Sequence, residues 1–129
     1  MKKKIFTLVL TASLMLGCCM TANALSSATV TLSTSQYSAY SKTVGDSASV
    51  SVYAKNYSSS KHNVNAITYG APAGGSFNKL DSVSMGVGTT MNTKTVKAAG
   101  NLSSTSYYLG LNPTAAFKNC FAGGSIKLK

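Results

Sequence analysis

Arginine, glutamate and tryptophan are absent from all 129 residues, and Gln36 is the only glutamine. Arg, Glu and Gln are strong helix formers, and without them surface helices are hard to build. The lack of Arg also argues against a nucleic-acid partner, because bidentate recognition of phosphate and guanine is mainly Arg chemistry. Acid is nearly as scarce, since Asp46 and Asp81 are the only acidic side chains. Each lies in a turn-like stretch and is expected to cap a turn, not to join the other as a catalytic acid–base pair. The one histidine, His62, sits between Lys61 and Asn63 in a polar stretch and reads as a solvated loop residue. No Gly-x-Ser-x-Gly elbow is present. One His, one mature-chain Cys and two dispersed Asp do not form a tetrahedral metal site. Gly86-Val87-Gly88-Thr89-Thr90 lacks the Gly-Lys-Ser/Thr ending of a phosphate loop and reads as a turn. These absences argue against an enzyme and leave no cofactor or metal to be expected.

Long apolar runs are missing too. The longest runs from Ile5 to Leu16, twelve residues, where a membrane-spanning helix needs about 20. Lys2, Lys3 and Lys4 precede it and Ala22-Asn23-Ala24 follows, which is the order of a bacterial export signal cut after Ala24. Residues 25–129 are then the expected working protein, a single secreted domain without a transmembrane segment. A competing exit is Met15-Leu16-Gly17-Cys18, which resembles the lipobox of bacterial lipoproteins. Met15 and Leu16 depart from that pattern. In this alternative Cys18 carries lipid and the protein is tethered to a membrane, and a Cys19–Cys120 bridge becomes conceivable. Under the plain cut Cys120 alone remains and is expected to be a buried small apolar residue.

What is abundant is Ser, Thr, Val and Tyr, the composition of half-buried strands. From Ala48 to Lys55 residues 48, 50, 52 and 54 are apolar and 49, 51 and 55 polar, so one face of a strand meets the core. Ala28–Leu32 and Ser125–Lys129 alternate likewise, the second with both lysines pointing outward. Tyr107, Leu109 and Leu111 form an inward row opposite Tyr108 and Gly110; Val83, Met85 and Val87 form another. Val64–Tyr69 reads as a strand buried on both sides, and Asn92–Lys97 as a lysine-guarded edge. Gly45-Asp46, Ser58–Ser60, the 70–75 glycine-rich stretch, Gly100-Asn101, Asn112-Pro113 and Gly123-Gly124 read as turns. About seven antiparallel strands in this length predict an all-β fold, a small β-sandwich, with a small β-barrel as the second architecture.

Charge is one-sided. All twelve basic residues are Lys; after Ala24 nine of them face two Asp. Such a field favours anionic surfaces: an anionic cell-wall polymer, lipid headgroups or acidic glycans. Seven tyrosines are spread along the chain. Tyr53 and Lys55 share the outward side of one strand, Tyr57 follows, Tyr108 points away from the core, and Lys127 and Lys129 face outward. Tyr53, Lys55, Tyr57, Tyr108, Lys127 and Lys129 are therefore the candidate binding residues, rings supplying contact area at low entropic cost and lysines supplying charge. Ser38-Ala39-Tyr40 and Tyr107-Tyr108, in a small cationic exported chain, are similar to features of lactococcin-type bacteriocins over a small part of the sequence. That family's aromatic ending with Trp is missing and the chain continues well past Tyr108, so no functional residue carries over. The first expectation is a secreted, cationic, non-enzymatic bacterial protein that binds the cell envelope. The same charge and address give a second, a secreted bacteriocin-like or toxin-like antibacterial protein. A third is an adhesin or matrix subunit.

Overall fold

The computed structural model describes residues 25–114 and 117–129. The expected leader, residues 1–24 with Cys18 and Cys19, lies outside the described residues. Nine strands occur among those described: β1 Ser27–Leu32, β2 Ala39–Tyr40, β3 Val44–Ser47, β4 Ser49–Asn56, β5 Val64–Ala71, β6 Asn78–Met85, β7 Lys94–Lys97, β8 Thr105–Pro113 and β9 Ala122–Leu128. The first sheet has the order β1-β9-β4-β7; the second has β2-β8-β5-β6, with β3 also paired to β8. Every pairing between named strands is antiparallel. The two sheets pack face to face as a small all-β sandwich.

Alternation carries the core. In β4, Val50, Val52, Ala54 and Asn56 are buried while Tyr53 is exposed. β1 and β9 add Val30, Leu32, Ala122 and Ile126 to the same inward side; β5 and β8 answer with Val64, Ala66, Tyr107, Leu109 and Leu111. Full burial of each larger aliphatic residue stabilises the fold by about 1.5–3 kcal/mol. Tyr107 is fully buried and its hydroxyl donates to the Ser47 carbonyl at 2.8 Å, fastening β3 to the core. Asn56, also fully buried, donates through Nδ2 to the carbonyls of His62 and Met85, each at 3.1 Å. It thereby ties the end of β4 to the second sheet.

The structure departs from the sequence expectation in several places. Asn112-Pro113 and Gly70-Ala71 are not turns but the paired ends of β8 and β5. Two short strands, β2 and β3, raise the number from seven to nine. Gly45-Asp46 lies within β3, not in a turn, where the β3–β8 register shifts between Val44 and Ser47. Gly123-Gly124 is no turn either, for both residues pair with β1 and β4 inside β9. The β6 row ends at Met85: Val87 is exposed, in a turn closed by the Thr89 amide donating to the Gly86 carbonyl at 3.1 Å. From that turn the chain crosses to the first sheet, where Thr90 bridges Lys55.

Candidate functional site

Strand register sets out the outer face of the first sheet in rows. Thr29, Ser125 and Tyr53 lie side by side on β1, β9 and β4; Thr31, Gly123 and Lys55 form the next row; Ser27, Lys127 and Ser51 form the row on the other side. Neighbouring strands stand about 4.8 Å apart and successive rows about 7 Å apart. Gly123 contributes no side chain, so the middle of its row is a hollow. Thr29 and Thr31 form one wall of that hollow, Tyr53 and Lys55 the other, and Tyr57 closes one end. Its volume is about 230 Å³. This is smaller than the ~300–1,000 Å³ of pockets that enclose a small molecule. It is a shallow, open hollow.

The rings around the hollow differ in how they are held. Tyr57 stacks on Phe121 with centroids 4.7 Å apart, and the Lys55 ammonium lies 5.2 Å from the Tyr57 centroid. Tyr53 is 41% exposed, and its ring and hydroxyl have no partner among the described residues. Tyr53 is thus a free aromatic platform, while Tyr57 is a fixed wall.

Charge is equally uneven. Lys55, Lys97 and Lys127 stand on the outer side of this sheet, and Lys129 follows β9 with its Nζ 3.3 Å from Thr95 Oγ1. None of the four has an ion-pair partner among the described residues. Both acidic side chains of the protein belong to the second sheet, Asp46 on β3 and Asp81 on β6.

Of the six candidate residues, then, Tyr53, Lys55, Tyr57, Lys127 and Lys129 share one face. Tyr108 is separated from them, on the outer side of the second sheet. There it stacks on Tyr69 at 4.7 Å and meets Tyr40 and Phe77 edge-on at 5.9 and 4.8 Å. Burial pushes the Tyr69 phenol above its ordinary value near 10, and nearby Tyr40 adds to the rise. Burial likewise raises Tyr107, with a hydrogen bond to Thr105 pulling the other way.

The groups capable of acid–base or nucleophilic chemistry are engaged in structural contacts. Asp46 accepts from Ser106 Oγ at 3.0 Å and Asp81 pairs with Lys94 Nζ at 2.9 Å, so neither caps a turn as the sequence led us to expect. His62 is not free in solvent; its ring is half-buried and stacks on Phe117 at 4.2 Å. Cys120 is a buried free thiol whose Sγ lies 3.5 Å from the backbone carbonyl of His62. Thr29, Thr31, Gly123 and Ser125 are site residues that sequence reasoning missed. Their signal was available for the threonines, as the outward half of the Ala28–Leu32 alternation.

No protein-family model matches this chain, and neither a curated protein nor a solved structure matches it.

Proposed function

We propose that this protein is exported from a bacterial cell and acts without catalysis, attaching to an anionic or glycan-rich envelope polymer through the outer face of the first sheet. The observation that carries this reading is the segregation of charge. Lys55, Lys97, Lys127 and Lys129 gather on that face, and both Asp side chains sit on the other sheet. A patch of one sign attracts a polymer of the other and orients the protein on it. Tyr53 beside this patch adds contact area that costs little entropy to order. The engagement of Asp46, Asp81, His62 and Cys120 in packing contacts supports a binding role over bond-breaking.

The test is retention of purified protein on isolated cell-envelope polymer as salt is raised. The Debye length falls from about 10 Å at 0.1 M to about 3 Å at 1 M. Retention should drop at least tenfold over that range, by rough estimate from such screening. The Lys55→Gln/Lys127→Gln double variant should bind weakly from the start. Salt-independent retention, or unchanged retention of the double variant, would sink the proposal.

A further inference from the structure

Gly123 is not required by the backbone. Its φ lies outside the left-handed region, and the nearest atoms to a Cβ placed on it would be the Tyr57 hydroxyl at 3.5 Å, Tyr57 Cε2 at 3.7 Å and the Val30 carbonyl at 3.8 Å. Those are ordinary contacts. The next residue is different: a Cβ on Gly124 would come within 2.9 Å of Leu109 Cδ2 and 3.0 Å of the Tyr53 carbonyl. Gly124 is thus fixed by packing between the sheets, while Gly123 faces solvent in a central strand, where glycine weakens the pairing and marks close approach of another group.

We infer that the hollow over Gly123 seats one sugar unit of an anionic polysaccharide. The sugar ring lies against Tyr53, its hydroxyls meet Thr29, Thr31 and Ser125, and its carboxylate or phosphate reaches Lys55. This assignment rests on the reading of the same face given above and names the ligand class. Three features choose a polysaccharide over a lipid surface. The site is concave where a membrane-docking surface would protrude. Its walls carry hydroxyl groups in register, which suit a polyol. Lys127 stands four residues along the strands from the Lys55 row, about 14 Å away, so one extended chain meets charge at both places. Tyr53 is the platform because its ring is unpartnered, whereas Tyr57 already carries Phe121 and Lys55.

The experiment is affinity electrophoresis of the purified protein through gels containing polygalacturonate or alginate. Dextran serves as the neutral sugar, polyphosphate as charge without sugar, and phosphatidylglycerol vesicles as the lipid surface in a parallel sedimentation assay. Gly123→Val and Tyr53→Ala should each weaken binding to an acidic polysaccharide about tenfold. Gly123→Val should keep its circular dichroism and unfolding midpoint, since a β-branched residue suits a strand. Lys55→Gln should weaken binding and flatten its salt dependence. Tyr108→Ala, in the packed cluster on the other sheet, should lower stability but leave binding by the folded protein unchanged. The assignment is overturned if neither acidic polysaccharide binds, if dextran, polyphosphate or the vesicles bind as tightly, or if folded Gly123→Val binds like the parent. In that last case, loss of envelope retention in the Lys55→Gln/Lys127→Gln protein would leave the broader reading standing. Unchanged retention in both proteins would end both.

Discussion

Gly110 and Gly123 occupy matching places on the two sheets, each on the outward side of a central strand, and the protein uses them in opposite ways. Over Gly110 the space is filled: a Cβ there would lie 2.9 Å from Tyr40 Cε1 and 3.2 Å from Tyr69 Cε2. Those rings join Tyr108 and Phe77 in one aromatic cluster. Covering a strand glycine with aromatic rings is a known way to stabilise a sheet, and here it holds two-residue β2 against β8. Over Gly123 the cover is looser, the Tyr57 ring edge lying 3.5–3.7 Å from where a Cβ would be, and the adjoining Tyr53 ring stacks on no other ring among the described residues. The difference shows that exposure alone does not make a tyrosine a binding residue. Tyr40 is 52% exposed and Tyr53 41%, yet Tyr40 is engaged in packing. What separates Tyr40 from Tyr53 is whether the ring has already found others to pack on.

The largest effects expected from breaking this comparison come from the glycines. Gly124→Ala forces a methyl against Leu109 and the Tyr53 backbone and should destabilise the fold by about 3 kcal/mol. Gly110→Ala presses on the far edges of two rings that can swing outward, so about 1–2 kcal/mol is expected. Gly123→Ala meets only ordinary contacts and should leave stability unchanged or raise it by about 0.5 kcal/mol. Urea unfolding of the three variants gives the ranking. Equal losses at residues 123 and 124 would mean that the hollow is a packing feature after all.

How much of this was legible beforehand follows from range. The alternation of Ala48–Lys55 and the opposite orientations of Tyr107 and Tyr108 are local, because successive side chains of a strand point to opposite faces. Both are as expected. Which sheet a strand joins is set by pairing across the chain, so nothing local separated Tyr108 from Tyr53. Gly123-Gly124 has the composition of a turn, and only the closeness of Leu109 to residue 124 explains why glycine sits inside a strand. β2 and β3 have too few residues to show a period. β6 was placed too late along the chain because Asn78–Asp81 does not alternate cleanly, and a register shift between Thr68 and Tyr69 moves its outward residues.

A smaller effect is expected in alkali, and it bears on the packed face and the core more than on the open one. Tyr69 and Tyr107 have phenols held above the ordinary tyrosine value of 10.0, chiefly by burial. Below pH 10 these phenols are protonated in the folded and unfolded chains alike, and their contribution is fully present. As pH rises past 10 the unfolded chain releases its protons first, so stability declines until the folded phenols ionise. Unfolding midpoints measured upward from pH 9 should fall, and Tyr69→Phe should flatten the slope. A decline that is just as steep in the Tyr69→Phe/Tyr107→Phe protein would assign it to other groups.

The smallest loss of stability, and the sharpest test of position against total charge, lies at the edge between the sheets. Lys94 sits opposite Val52 on β7 and shares its inward side, and from there it reaches Asp81 on β6 at 2.9 Å. An inward-pointing charge at an edge strand discourages pairing with another molecule. The pair is partly solvent-exposed, so Lys94→Gln should cost about 0.5 kcal/mol and less in high salt. Lys94→Gln and Lys127→Gln remove the same charge from the protein. If the outer face is the binding surface, Lys127→Gln weakens retention on envelope polymer and Lys94→Gln does not. Equal losses would make net charge, not the arrangement of the face, the agent of binding.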